Sequence, residues 1–544
     1  MLENLDITRK DYHFVNAVHE GEDIRVEFGV INDTNLFAQG DTVRYFIDIK
    51  GMVPELKVAY IYFFNDAFGV SKYIEDQIVY NGDETDAYIE GSIPIKDTYK
   101  NGIYTFHLTI RKVGTLSFNI GVVPRARRAS NEFYYGVQPY ITKSGVNPNN
   151  RVRFQDAENS ACSLFSAIDY MGCNLIREEI TSFGRMQSEV GGKIDPTVIE
   201  PYIKTAEKLG ITYMWLATGS PDWALPERHK ESKFASWQLP PDTKVWRRYI
   251  NAIAEHYKDY KNIIFEIWNE ADWEFFEGTK EEYFELLDAA IEEISAVNKE
   301  VPVLPSACVS GWELSKQGAS HSKGRKYYYE HYLPHIKSGA LAGLNVHDHR
   351  LFDRKVIDEY KSLTPENNST IAIGYNEDEY RNRWITESGS WGPLQNMAHR
   401  AQTLMGKMLF YRANGAKSFV EWEFSSLSDK SCWSIFNYTM QPEPAVIAWT
   451  YQVGLLGNAV LNVHKTAPSG YAFADIYCDG NKTIVPFYSH TDDTDALFVN
   501  APHKAFDIYG NQMRTSDIYY GNKSPIYLVF EDEISALDIT FRAI

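Results

Sequence analysis

Two stretches of the chain end an apolar run on a glutamate set between tryptophans. In "FEIWNEADW" (265–273) the run closes on Asn269 and Glu270, with Trp268 and Trp273 on either side. In "RWITESGSWG" (383–392) it closes on Glu387, between Trp384 and Trp391. Two carboxyl groups facing each other suit the scission of a glycosidic bond: one is protonated and releases the leaving oxygen, the other is ionised and takes the anomeric carbon. At roughly 5 Å apart both groups resist ionising together, so one keeps its proton for the leaving group. Polar residues close most strands, so Asn269-Glu270 alone says little; the pairing with a second glutamate carries the argument. Glu266 and Glu423, close in sequence to motif residues, read as hydrogen-bonded or helix-facing partners and not as catalysts.

The glutamates need a scaffold that brings residues 117 positions apart to one place. From about 133 the chain alternates strand and helix. The expected strands are 133–138, 173–178, 211–217, 263–270, 301–307, 343–347, 383–387 and 417–422. Amphipathic stretches separate them: "TVIEPYIKTAEKLG" (197–210) closes on a glycine, and the stretch 279–298 opens with Thr279 and Glu282 at capping-box spacing. Eight such units predict a (β/α)8 barrel, whose strand C-termini converge on one mouth. A doubly wound open sheet is the competitor, but no G-x-G-x-x-G follows the first strand. Glu270 then ends strand four and Glu387 strand seven.

Asn-Glu at the end of strand four and Glu at the end of strand seven resemble the retaining glycoside hydrolases of clan A, most nearly families 39 and 5, over about 133–455. The resemblance extends to Arg177 in "NLIRE", Trp422 at the end of strand eight and the helix expected from "QPEPAVIAWTYQVGLLG" (441–457). It implies Glu270 as acid/base, Glu387 as nucleophile and Asn269 as donor to the sugar 2-hydroxyl. Arg177 would hydrogen-bond the nucleophile and keep it ionised, and Trp422 would floor the subsite of the cleaved sugar. His347 or His349 in "NVHDHR" would line the sugar pocket, and the sequence does not choose between them. The implied activity is a retaining β-glycosidase working through a covalent glycosyl-enzyme; a transglycosylase on the same site and a catalytically silent sugar-binding protein are the alternatives.

"HDH" at 347–349 raises a metal reading. Metal-dependent barrel hydrolases carry an H-x-H on strand one, and "YYGVQPY" has none, so no metal and no cofactor are expected. All 12 tryptophans fall between 215 and 449. Sugar rings stack their apolar faces on such rings, which makes Trp223, Trp237, Trp273, Trp312, Trp391 and Trp433 candidate subsite walls as well as candidate core filling.

A chain of 544 residues exceeds one core. Short alternating strands such as "IRVEFGVI" and "KVAYIYFF" predict an N-terminal Ig-like β-sandwich over 1–128, with "VPRARRASNE" (123–132) as linker. The barrel takes 129–455, and an all-β domain takes 456–544. The N-terminal domain reads as a lid or spacer. A formal charge of −19 disfavours nucleic acid and anionic membrane as partners, leaving an oligosaccharide or glycoside; an oligomer has no support. No apolar run suits a bilayer span and no signal peptide is visible, so the expected location is cytoplasmic, or secreted with the signal removed. Five scattered cysteines predict neither a disulfide framework nor a zinc site. The sugar is not specified, though the acidic loop 375–383 disfavours anionic substrates, and endo or exo action rests on loops 219–243 and 310–325.

Overall fold

The structure is a computed structural model that describes residues 13–51, 58–79, 85–140, 157–178, 183–309, 327–349, 351–354, 357–358, 384–388, 397–425, 434–437, 439–480, 482–490 and 495–543; within 384–388 the side chains of residues 386 and 387 are not described. Trp312, Trp391 and Trp433, and the loops 310–325 and 375–383, lie outside the described residues.

Eight parallel strands form the central sheet. Numbered within the barrel they are β1 (Tyr134–Val137), β2 (Leu175–Glu178), β3 (Thr212–Ala217), β4 (Ile263–Ile267), β5, β6 (Asn345–Asp348), β7 (Trp384–Ser388) and β8 (Ser418–Glu421). β5 comes in two pieces, Val303–Pro305 paired with β4 and Cys308–Val309 paired with β6. The continuous strand expected at 301–307 is therefore interrupted at Ser306, whose backbone turns aside to bond the Tyr283 hydroxyl. The two pieces close the sheet between β4 and β6, and β8 returns to pair with β1. This is the (β/α)8 barrel that the strand-helix rhythm predicts.

Side chains alternate across each strand. Leu175, Met214, Ile264, Leu304, Trp384 and Val420 form one buried apolar layer contributed by six of the strands. A Cβ on Gly136 of β1 would stand 2.6 Å from Val420 and 3.0 Å from Leu175, so the glycine is what lets β1 pass this layer. Two residues further along β2 and β4, and so on the same face, stand Arg177 and Glu266.

Among the described residues, the longer helices around the barrel are α1 (Ala157–Tyr170), α2 (Glu200–Lys208), α3 (Thr243–Tyr257), α4 (Lys280–Val297), α5 (Leu333–Ser338), α6 (Met397–Ala413) and α7 (Pro444–Leu456). α4 begins with the expected capping box: the Glu282 amide donates to Thr279 Oγ1 at 3.2 Å, and the Thr279 amide donates to Glu282 Oε2 at 2.8 Å. α2 runs out into Gly210 at φ +68°, a left-handed geometry that glycine accepts without a Cβ penalty.

The N-terminal strands form two sheets. Strands 13–20, 25–31, 42–50 and 87–94 pair in one; strands 36–37, 114–122, 102–110, 58–65 and 70–77 pair in the other. Their inner faces interdigitate through Phe28, Tyr45, Phe106 and Phe118. The segment after them is no free spacer: Ala126 and Ala129 bond the carbonyls of Tyr170 and Gly172, and Arg125 and Arg128 both pair with Asp169. The arginines that read as a linker signal fasten this segment to the end of α1. After α7, six strands between 460 and 530 and three more (518–520, 495–499, 539–543) form two further sheets.

Candidate active site

β4 ends at Ile267, three residues before the expected Glu270, because the backbone leaves the extended region there. Trp268 (φ +69°) and Glu270 (φ +42°) are both left-handed, a conformation that costs a non-glycine residue roughly 1–3 kcal/mol. Packing and hydrogen bonds hold it. The Trp268 ring is fully buried against Trp246 and Phe276, with its Nε1 donating to the Phe275 carbonyl at 2.9 Å. The Ala271 amide donates to Ser306 Oγ at 2.7 Å, and the Trp273 amide to the Glu270 carbonyl at 2.9 Å. This kink turns Asn269 toward Arg177 and Glu270 toward His347, where a continued strand would send neighbouring side chains to opposite faces.

Arg177 organises the floor of the mouth. Its Nε donates to Glu266 Oε2 at 2.6 Å and its Nη2 to Glu266 Oε1 at 3.0 Å, both groups fully buried. Nη1 reaches Gln138 Oε1 at 2.7 Å, and Nη2 also reaches Asn269 Oδ1 at 2.8 Å. Asn345 donates to Glu266 Oε1 at 2.8 Å. Burial pushes the Glu266 carboxyl up, but the Arg177 guanidinium and His347 more than reverse this and hold it below the ordinary carboxylate value. The Glu266–Arg177 pair is thus ionised, with charge and hydrogen bonding both satisfied. Since Arg177 takes the Asn269 oxygen, the amide nitrogen is left as the donor on that side chain.

Above this floor, His347 Nδ1 lies 2.6 Å from Glu270 Oε1, and His347 Nε2 lies 3.8 Å from Glu266 Oε1. Glu270 is 4% exposed, and its second oxygen, Oε2, has no hydrogen-bond partner among the described residues. Glu387 lies near the end of β7 with its backbone in register with His347 on β6. His349 is half-buried; its ring meets Trp422 edge-on at 5.3 Å and His347 at 6.3 Å. Trp422 directly follows β8, and its Nε1 donates to the Tyr140 hydroxyl at 2.6 Å. Between the histidines, Asp348 turns outward to accept from the Tyr411 hydroxyl of α6. "HDH" is thus a strand alternation with two histidines on one face.

The structure therefore brings Arg177, Asn269, Glu270, His347, His349 and Trp422 to one mouth. Trp273 is half-buried one turn beyond Glu270. Its ring is 6.1 Å from Phe275, which is 6.1 Å from a 50% exposed Trp237, so three rings run outward in a row. Trp223 instead packs edge-on against Phe183. Glu266, read from sequence as a hydrogen-bonded partner, is the partner of Arg177. Gln138, Tyr140 and Asn345 are additions that the sequence reading missed; each is a polar residue in or just past an apolar strand, the signal that singled out Asn269. The ligand atoms of Glu270, His347 and His349 lie within 4.8 Å of one another, so this cluster has metal-binding geometry although no metal was expected.

A sequence profile for cellulases, glycosyl hydrolase family 5, matches residues 142–320, a span that includes Arg177, Asn269 and Glu270. No curated protein matches the chain. Among solved structures, a family 39 glycoside hydrolase from the gut symbiont Bacteroides cellulosilyticus WH2 is similar at TM-score 0.63 and 16% identity, covering 92% of this chain and 99% of that one. A monomeric beta-xylosidase from Caulobacter crescentus CB15 follows at TM-score 0.47 and 13% identity, covering 74% of this chain and 97% of that one. The first likeness is one of fold, barrel and flanking β-sheets together. The profile match, over the segment that carries the strand-four motif, is the finding that bears on activity: there the chain is similar to glycoside hydrolases, and its fold is that of a clan A member, the family 39 enzyme above.

Proposed function

We propose that the protein is a retaining β-glycoside hydrolase with Glu387 as nucleophile and Glu270 as acid/base. In the first step the Glu387 carboxylate bonds to the anomeric carbon as the glycosidic C–O bond breaks, and Glu270 gives its proton to the leaving oxygen. In the second step Glu270 takes a proton from water, the water oxygen bonds to the anomeric carbon, and the Glu387 carboxylate departs. Two displacements at one carbon return the starting configuration.

The observation that carries this reading is the state of Glu270. One oxygen is held by His347, the other has no protein partner among the described residues, and the residue stands at the mouth with Glu387 in register with the very histidine that holds it. A carboxyl so placed has one oxygen for proton transfer and one that fixes its direction. His347 acts as a positioning residue, while His349 lines the sugar pocket beside Trp422. Asn269 offers its amide nitrogen to the sugar 2-hydroxyl, an interaction that strengthens as the anomeric carbon gains charge. Trp422 supplies the apolar floor, and Trp273 supports the outer subsites. Arg177 holds Asn269 and Glu266 in place, and its positive charge lies on the floor of the mouth.

Proton NMR of the first-formed sugar from a panel of aryl β-glycosides tests the proposal. The β-anomer is expected to appear first and then mutarotate. Initial formation of the α-anomer, or binding with no turnover across the panel, contradicts it.

A further inference from the structure

Outside the mouth, a second cluster of metal-ligating side chains joins two helices of the barrel wall. Asp288 comes from α4. His331 comes from a single π-helical turn at Tyr328–Tyr332, and His335 from α5. Asp288 Oδ1 lies 2.6 Å from His331 Nε2 and 3.0 Å from His335 Nε2, and the three ligand atoms lie within 4.8 Å of one another. We propose that Asp288, His331 and His335 form a binding site for a divalent first-row transition-metal ion of the zinc type, which clips α4 to α5.

The local chemistry favours this assignment. The histidines are four residues apart, the spacing that puts two imidazoles on one helical face for a single ion. Pro334 has no N–H to continue the ladder, and the chain widens to a π turn beside it, a distortion that recurs at functional sites. The His331 ring stacks on Phe284 of α4 at 4.1 Å with 6° between planes, so one ligand is already oriented by a neighbour that cannot itself bind metal. Both Nε2 atoms converge on the same carboxylate oxygen. Around an ion with bonds of about 2.0–2.1 Å, tetrahedral ligands stand roughly 3.3–3.4 Å apart, so each of the two Asp288–histidine separations needs to open by less than about 1 Å. Two imidazoles and one carboxylate suit zinc, nickel, copper or iron and disfavour calcium and magnesium, which take oxygen ligands. Asp288 and both histidines are partly exposed, with side-chain exposures of 41%, 19% and 28%, so an ion can enter and water can complete its shell. A surface ion pair, Lys280 to Glu330 at 2.5 Å, bridges α4 to the same π turn.

The full chain, stripped with EDTA, is titrated with ZnCl2 by calorimetry beside a His331→Ala/His335→Ala double variant and an Asp288→Asn variant. The wild type is expected to take up one zinc equivalent more than the double variant and to show a zinc-dependent rise in Tm that the double variant lacks. Asp288→Asn is expected to weaken uptake, and all three proteins should share the same turnover on an aryl β-glycoside without added metal. The comparison separates this site from Glu270, His347 and His349, which all variants keep. Equal zinc stoichiometry and equal Tm shifts in wild type and double variant overturn the proposal, as does absence of zinc uptake by the wild type.

Discussion

The imidazole Nδ1 of His347 lies 2.6 Å from Oε1 of Glu270, and both groups are buried at the mouth of the barrel. A proton-transferring carboxyl must point at one oxygen of the substrate, and a misplacement of about 1 Å costs roughly 10²-fold in rate. His347→Ala is accordingly expected to lower kcat about 10²-fold with a smaller change in KM. His347→Gln, which can still donate to Glu270, should recover part of the loss. A His347→Ala enzyme with the parent kcat, or no recovery in His347→Gln, removes the positioning role.

Glu266 is the fixed negative charge beneath the site, and Glu266→Gln leaves Arg177 buried without its ionic partner. Breaking a buried pair costs about 3–5 kcal/mol, to be read from denaturant unfolding. Because the folded-state pKa of Glu266 is depressed, its contribution is present above the ordinary value of 4.5 and fades as pH falls through the depressed value. The gap between parent and variant should therefore narrow in acid. Equal stability of the two proteins at neutral pH would show that the pair contributes nothing.

Asn269 tests the substrate side. Hydrogen bonding to the sugar 2-hydroxyl contributes several kcal/mol in glycosidase transition states, so Asn269→Ala should lower kcat/KM on an aryl β-glycoside by about two to three orders of magnitude. On the matching 2-deoxy glycoside the variant and parent should differ far less. An equal loss on both substrates would assign Asn269 to structure alone.

Most of the barrel was legible because its strands are short apolar runs bounded by turn residues, and the eight expected segments fall within a few residues of those observed. The places where the reading slipped are places where tertiary contacts override local pattern. The run "IIFEIWNE" looks extended to its end, but Trp268 finds a better home among Trp246 and Phe276, and the chain turns left-handed to put it there. Strand five breaks at Ser306, whose amide bonds a tyrosine 23 residues earlier, a partner that no local window contains. Arg177 was legible as a site residue but its bidentate grip on Glu266 was not, since spacing along one strand does not say which neighbouring strand supplies the partner. Gln138, Tyr140 and Asn345 went unnoticed because a single polar residue near a strand end is common.

Glu421, at the end of β8, bears on stability. Burial pushes its carboxyl well above the ordinary 4.5, with Arg400 and Lys407 only partly offsetting this, and neither oxygen has a hydrogen-bond partner among the described residues. A raised folded-state pKa means that stability is full below about 4.5 and is lost as pH rises toward the raised value. Glu421→Gln removes this dependence, so its Tm should exceed the parent's at pH 7 and converge with it near pH 4. A variant less stable than the parent at pH 7 would show that the carboxylate is needed in its ionised form.

The most direct test of the central claim replaces each glutamate and offers azide with an activated aryl β-glycoside. Glu387→Ala lacks the nucleophile, so azide attacks from the vacated face and the product is the α-glycosyl azide. Glu270→Ala still forms the glycosyl-enzyme, which azide opens from the other face to give the β-glycosyl azide. Those two opposite anomers, from variants otherwise slowed by orders of magnitude, are the predicted result; parent-rate hydrolysis by both variants, or the same anomer from each, would contradict a shared site for residues 270 and 387.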